Sequence, residues 1–447
     1  MNLFSKNKDK PKRAKRKHST GEENNAFIRK LGRYFSTEPQ KEKVLSMEDF
    51  DRAGDDYYAT VSAYYKVSER ILVVVLIGFL LFSIVVNRKE ITYDNFYFLL
   101  RDIPAAADEA NNVYETISYE ADSRQHFVSY RGGIASVSPS KISIFTATGR
   151  RTLNVTSEFS SPYAVSSDKY VLFYDMSGNT FSIYNSFSRI YTETLDDPIK
   201  CACLADDGSF AVVTRTSSGT WKTRVYNKKF KLRYEIETPV SNNKVTSNHI
   251  LGVAMNSERQ KLAILSYDLG DGMGRTALSV YDISGDERLN GQLLEHRIEY
   301  GGEFPLKCGF MGKDSFAMVT DGRIRIYDKN FEVTEKSFDF RERNLTGFHL
   351  SENGVAVSAI SDTKCMILAY GNNGEKIYDA SVSYNVKDIS VYENFVFLQT
   401  DHGITRINTK TGERSSLNSG QGKILIYDGR TVIVCGESKA EYIVFND

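Results

Sequence analysis

The chain has 447 residues, and its 57 basic and 57 acidic side chains cancel, so no overall charge marks a nucleic-acid binder. Its five cysteines (Cys201, Cys203, Cys308, Cys365, Cys435) form no CxxC and no Cys/His zinc spacing. Odd in number and set in apolar stretches, they read as buried free thiols and exclude a disulfide-stapled secreted fold. With 27 Tyr, 26 Phe and only 8 Pro, the composition favours strands over helices.

The charge is unevenly placed. Between Met1 and Lys43 thirteen Lys or Arg face five acidic residues, a net of +8, which leaves −8 on the rest. Residues 1–45 read as a mostly disordered basic cytoplasmic tail. Its run Lys12, Arg13, Lys15, Arg16 and Lys17 suits anionic lipid of the inner leaflet and orients the chain. Phe27, Ile28, Leu31, Tyr34 and Phe35 add a short basic amphipathic segment. Residues 46–70 read as a juxtamembrane helix, with Ser46 as N-cap and tyrosines near the interface.

Residues 71–86, ILVVVLIGFLLFSIVV, are unbroken apolar sequence closed by Arg70 and Arg88. Sixteen helical residues reach about 24 Å at 1.5 Å per residue, close to a hydrocarbon core of about 30 Å once flanking arginines snorkel. Ile71, Val74, Gly78, Phe79, Phe82 and Val86 mark the predicted transmembrane helix, with the lipid bilayer as its partner. The expectation is a single-pass protein with its N-terminus cytoplasmic and its C-terminal domain extracytoplasmic. Residues 87–111 then form an interface and linker.

From 112 to 447 short strands repeat. Tight turns recur at Ser166-Ser-Asp-Lys169, Ala205-Asp-Asp-Gly208, Asn256-Ser-Glu258, Gly312-Lys-Asp314, Ser351-Glu-Asn-Gly354, Tyr392-Glu-Asn394 and Tyr427-Asp-Gly429, each followed by an apolar strand. A second mark, an apolar residue followed by Tyr and then Asn or Asp, appears at Tyr184-Asn185, Tyr226-Asn227, Tyr281-Asp282 and Tyr327-Asp328. The aromatic can fill space between blades, and the Asn or Asp can cap a turn. A spacing of about 40 to 55 residues suits four-stranded propeller blades.

Eight units begin near Arg124, Pro162, Ile199, His249, Pro305, Leu345, Val386 and Gly422. The last holds three strands, Lys423–Tyr427, Thr431–Cys435 and Glu441–Phe445, so Val113–Tyr119 is expected to complete it as an outer strand. A seven-bladed count stays open, because the fourth unit carries an inserted loop at Asp268–Arg275. That loop lacks the Glu an EF-hand would need.

In pattern these residues resemble the WD40 and quinoprotein-like propellers, although the Trp-Asp and Gly-His of true WD repeats are absent. The whole layout resembles a class of bacterial single-pass proteins with a basic cytoplasmic tail and an extracytoplasmic propeller. The fold class expected is therefore all-β, an eight-bladed β-propeller after one transmembrane helix. No catalytic, cofactor or metal constellation is readable. The functional expectation is a non-enzymatic binding or scaffolding module for a protein, peptide or glycan, with no nucleic-acid partner. The alternatives are a lyase or hydrolase acting in the central channel, or a transmembrane sensor.

Overall fold

The computed structural model describes residues 61, 64–79, 81–82, 116–238, 249–269, 274–285, 294–362 and 364–445. The chain divides into two compact units, Met1–Ile91 and Thr92–Asp447. In the first, residues 64–79 are helical. Ile71 (44% exposed), Val74 (67%), Phe79 (70%) and Phe82 (66%) are uncovered, and a Cβ added to Gly78 would meet nothing within 4 Å. Among the described residues no helix is long and apolar enough to cross a membrane. Val86, the basic run Lys12 to Lys17, the linker at 87–111 and most of the segment at 46–70 lie outside the described residues.

The second unit is an all-β ring of eight four-stranded antiparallel sheets. Blades 1 to 8 take their innermost strands from His126–Tyr130, Pro162–Ser166, Ile199–Leu204, His249–Asn256, Pro305–Met311, Asn344–Ser351, Asp388–Tyr392 and Lys423–Ile426. These lie within two residues of the starts read from the repeat, and they exclude the seven-bladed count. Blades 1 to 7 then run outward through strands a, b, c and d in chain order, and blade 8 through a, b and c.

Eight apolar clusters fill the eight gaps between successive blades. The cluster between blades 8 and 1 joins Leu425, Ile433 and Ala440 to Phe127, Ile134 and Phe145. The ring is therefore closed by packing as well as by pairing. Blade 8 supplies three strands of its own, and Ile117–Ser118 is the fourth, pairing Ile117 with Ala440 and Ser118 with Lys439. Tyr119 extends the seam: its N–H donates to Ser438 O (3.0 Å) and its hydroxyl to Gly436 O (2.7 Å). The contact falls on the Lys439 end of the partner strand Lys439–Val444, not on the expected Glu441–Phe445, and residues 113–115 lie outside the described residues.

The Tyr-Asn/Asp mark has a structural position. Tyr184, Tyr226 and Tyr281 end the c strands of blades 2 to 4 at a register shift that turns each ring toward the preceding blade. Tyr327 ends the c strand of blade 5, fully buried. The residue behind each ring fastens the c–d turn. Asn185 Oδ1 accepts from Ser188 N–H (2.8 Å), Asn227 Oδ1 from Lys229 (2.9 Å), Asp282 from Ser284 (2.9 Å) and Asp328 from Asn330 (2.9 Å). These are Asx-type turns, which hold short polar side chains against their own backbone. Phe145 and Tyr370 take the same place in blades 1 and 6, followed by Thr146 and Gly371, so the sequence mark misses them.

The inserted loop of blade 4 joins Lys261–Asp268 to Arg275–Asp282, and its tip at 270–273 lies outside the described residues.

Candidate functional site

In a propeller the a strands ring the central channel, and their inner edge has no further strand to pair with. Antiparallel pairing alternates hydrogen-bonded and open residue pairs. Ser351 with Gly354 and Tyr392 with Phe395 close two-residue a–b turns, so Leu350 and Val391, one residue back, present their backbone groups to the channel. Phe127, three residues behind the Tyr130–Gly133 closing pair, does the same.

These edge groups hold three side chains. Lys307 Nζ donates to Leu350 O at 2.8 Å, Lys423 Nζ donates to Phe127 O at 2.9 Å, and Val391 N–H donates to His349 Nδ1 at 3.3 Å. Blades 5, 6 and 8 thereby place two ammonium groups and an imidazole in the channel. Because Nδ1 accepts, the proton of the neutral ring sits on Nε2.

The electrostatics follow from enclosure. Both lysines are exposed to the solvent of the lumen. The protein around that lumen desolvates their ammonium groups, and Lys423 adds repulsion at Lys307, so their pKa values are pulled below the ordinary range. Burial, then Lys307 and Lys423, pushes His349 down to about 3. His126, stacked on Tyr163 at 4.3 Å, is pushed to about 3 by burial and Lys423. Asp388, on the a strand of blade 7, is raised by burial although Lys423 opposes the shift. The five cysteines are free thiols on separate strands, with Cys201 and Cys203 sharing one. Burial pushes Cys203, Cys308 and Cys435 up to about 12, so they stay protonated and unreactive near neutral pH.

The a–b mouth has the opposite sign. The a–b turns hold eight carboxylates, Asp168, Asp206, Asp207, Glu258, Asp314, Glu352, Glu393 and Asp428, against the five basic residues Arg131, Lys169, Arg259, Lys313 and Arg430. Burial, followed by Asp168, Asp207 and Glu258, raises the carboxyl of Asp206. Burial, followed by Asp206 and Asp168, raises that of Glu352. Turns from blades 2, 3 and 6 therefore feel one another across the ring. Among the described residues no group of three His, Cys, Asp or Glu is placed to hold a metal ion.

On the other face, a cleft of about 430 Å³ lies where blades 6 and 7 meet, lined in part by Tyr384, Asp401, His402, Arg414 and Asn418. Asp401 of its lining pairs with Lys387 at 2.6 Å.

Residues 108–445, essentially the whole ring, match a family described as a family of unknown function (DUF5711). The chain belongs to that family. No curated protein matches it significantly. Among solved structures it is similar to Sqt1 of Saccharomyces cerevisiae, with 10% identity, 74% of this chain and 98% of that one covered, and a TM-score of 0.48. It is also similar to BamB of Moraxella catarrhalis (11%, 74% and 100%, 0.47) and to the Dos1 propeller (12%, 74% and 96%, 0.49).

In this DUF5711 member the residues picked out by sequence do not converge. Tyr184, Tyr226, Tyr281 and Tyr327 lie in separate inter-blade gaps, and the membrane and lipid positions belong to the other unit. The channel groups Lys307, His349, Asp388 and Lys423 had no motif to announce them. Only their position on first strands, one polar residue within an apolar run, could have flagged them.

Proposed function

We propose that this protein is a membrane-anchored extracytoplasmic propeller that binds or scaffolds a partner protein or peptide rather than turning over a substrate. The observation that carries the anchor is the uncovered apolar helix: Leu72 (67% exposed), Val74 (67%), Val75 (65%) and Phe79 (70%) face outward on every side. A helix hydrophobic all round needs an apolar surrounding, and the run continues in sequence to Val86. The basic tail before it supports a cytoplasmic N-terminus.

A binding role is supported by the chemical state of the channel. The ring's thiols are held protonated by burial, and His349 and His126 are held neutral by burial and then by neighbouring cations, the reverse of what activates a nucleophile and its base. The acidic a–b turns add a fixed field at one face, which speeds association with a partner of opposite charge.

Protease added to intact cells stripped of their wall tests the topology. The ring should be clipped or released while the tail is protected; digestion of the tail alone would end this orientation. Proximity labelling from the C-terminus in living cells then tests the partner, and enrichment of cytosolic proteins alone would defeat the extracytoplasmic reading.

A further inference from the structure

Several charged side chains along the sheets are matched by carboxylates: Lys222 with Glu235 and Glu237, Lys261 with Asp282 and Glu295, Arg325 with Glu303. Lys307 and Lys423 depart from this habit. Each makes one hydrogen bond, to a backbone carbonyl, and among the described residues neither has a carboxylate within ion-pair distance. An ammonium carries three donors, so two on each lysine are left for the channel. His349 adds its Nε2–H, which has no protein partner among the described residues and is not sealed from solvent.

The three donors also share a region. Lys307 bonds at the level of Leu350 and His349 at the level of Val391, each one residue back from its a–b turn, on adjacent blades. Lys423 bonds at Phe127, two residues deeper, or about 7 Å at a strand rise near 3.3 Å. At the far end Gln399, opposite Asp388 and only 4% exposed, leaves its Nε2 donor unpartnered. Asp388 is the one channel carboxylate whose field reaches Lys423, and it does not neutralise two ammonium groups. Both ammonium groups are exposed to the lumen with donors to spare, and a ligand oxyanion would accept those donors in charge-assisted hydrogen bonds.

We infer that the channel is an oxyanion site, in which Lys307 Nζ and His349 Nε2–H are the first donors and Lys423 supplies a second positive charge. The ligand class is a small molecule bearing a phosphate or carboxylate group. This site depends neither on membrane attachment nor on a protein partner.

The test uses the full chain in detergent, with inorganic phosphate or acetate against chloride at equal ionic strength. Lysine acetylation is read by mass spectrometry at Lys307, Lys423 and the exposed Lys364. At an anion concentration about ten times its Kd, acetylation of Lys307 and Lys423 should slow about tenfold while Lys364 is unchanged. Protection by phosphate alone assigns a phosphate group, and protection by acetate alone a carboxylate. Equal slowing at Lys364, or no slowing with either anion, overturns the site. Lys307→Gln and His349→Gln should each weaken binding about ten- to a hundredfold, and unchanged affinity in both also overturns it. Should either variant fail to fold, protection in the unmodified protein still decides.

Discussion

Two regions of the ring handle charge in opposite ways. At the junction of blades 4 and 5, Glu303 is 3% exposed and Arg325 4%. They meet through a forked pair, Arg325 Nη2 to Glu303 Oε1 at 2.7 Å, with Nη1 on the second oxygen. Arg323 adds a contact at 2.9 Å, Thr320 donates to the same carboxylate, and the guanidinium of Arg325 lies 3.6 Å from the Tyr300 ring centre. Burial works against the charged carboxylate, but Arg325 and Arg323 win and hold its pKa below the usual range. In the channel, the exposed Lys307 and Lys423 each donate to a backbone carbonyl only. The first arrangement is a finished structural joint, and the second leaves valence for something else. Complete pairing thus separates a structural joint from a place where donors are left over.

The largest expected effect breaks the joint. Glu303→Ala leaves the buried Arg325 guanidinium without its carboxylate, while Arg323 keeps Asp339, and should lower stability by about 3–5 kcal/mol. Denaturant melts of parent and variant measure this, and a loss under about 1 kcal/mol would show that the pair is not structural. The contribution also has a pH sign. Because the folded pKa of Glu303 is depressed, its stabilisation is complete above the unfolded carboxylate range and is lost as pH falls through the folded value.

A smaller effect is expected in the channel. Lys307→Met together with Lys423→Met, in buffer without oxyanions, should stay within roughly 1 kcal/mol of the parent, because lost hydrogen bonds offset the removed charge penalty. A loss as large as that of Glu303→Ala would erase the contrast.

Acid sharpens it further. With His349 and His126 pushed to about 3, the unfolded chain binds more protons between roughly pH 6.5 and 3, so stability falls as pH drops through that window. His349→Gln with His126→Asn should flatten the slope of melting temperature against pH between 6.5 and 5, above the range in which most carboxylates titrate. An unchanged slope would place the proton-linked loss elsewhere.

Smallest is the a–b mouth, where Asp206→Asn with Glu352→Gln should raise stability by about 0.5 kcal/mol by relieving like charge. A loss of stability would mean that these carboxylates are held by partners rather than by mutual repulsion.

What the sequence made legible follows from what repeats. Turns such as Ala205-Asp-Asp-Gly208 recur because every blade needs the same reversal, where Gly208 takes φ +90°. The eight starts and the borrowed strand could be read because a three-stranded last unit leaves an edge that something must cover. The channel escaped because its groups come from single positions on different blades. Lys307, His349 and Lys423 lie 42 and 74 residues apart in sequence, and only closure brings them to one lumen. The register shift at the start of the a strands in blades 3 to 6 also escaped. It spaces Lys307 from Pro305 and Gly347 from Leu345, and no residue type announces a bulge that any side chain can occupy.

The seam has a consequence for the order of events. Its outer strand, Ile117–Ser118, is made early, and its partner at Lys439–Ala440 is made more than three hundred residues later. A chain emerging from N- to C-terminus can stack seven blades one upon another, but the circle stays open until the last strands arrive. Any force drawn through the segment before Ile117 acts first on two paired residues and the Tyr119 bonds, not on the broad faces between blades. The ring thus has a latch, set last during synthesis and first in the path of tension.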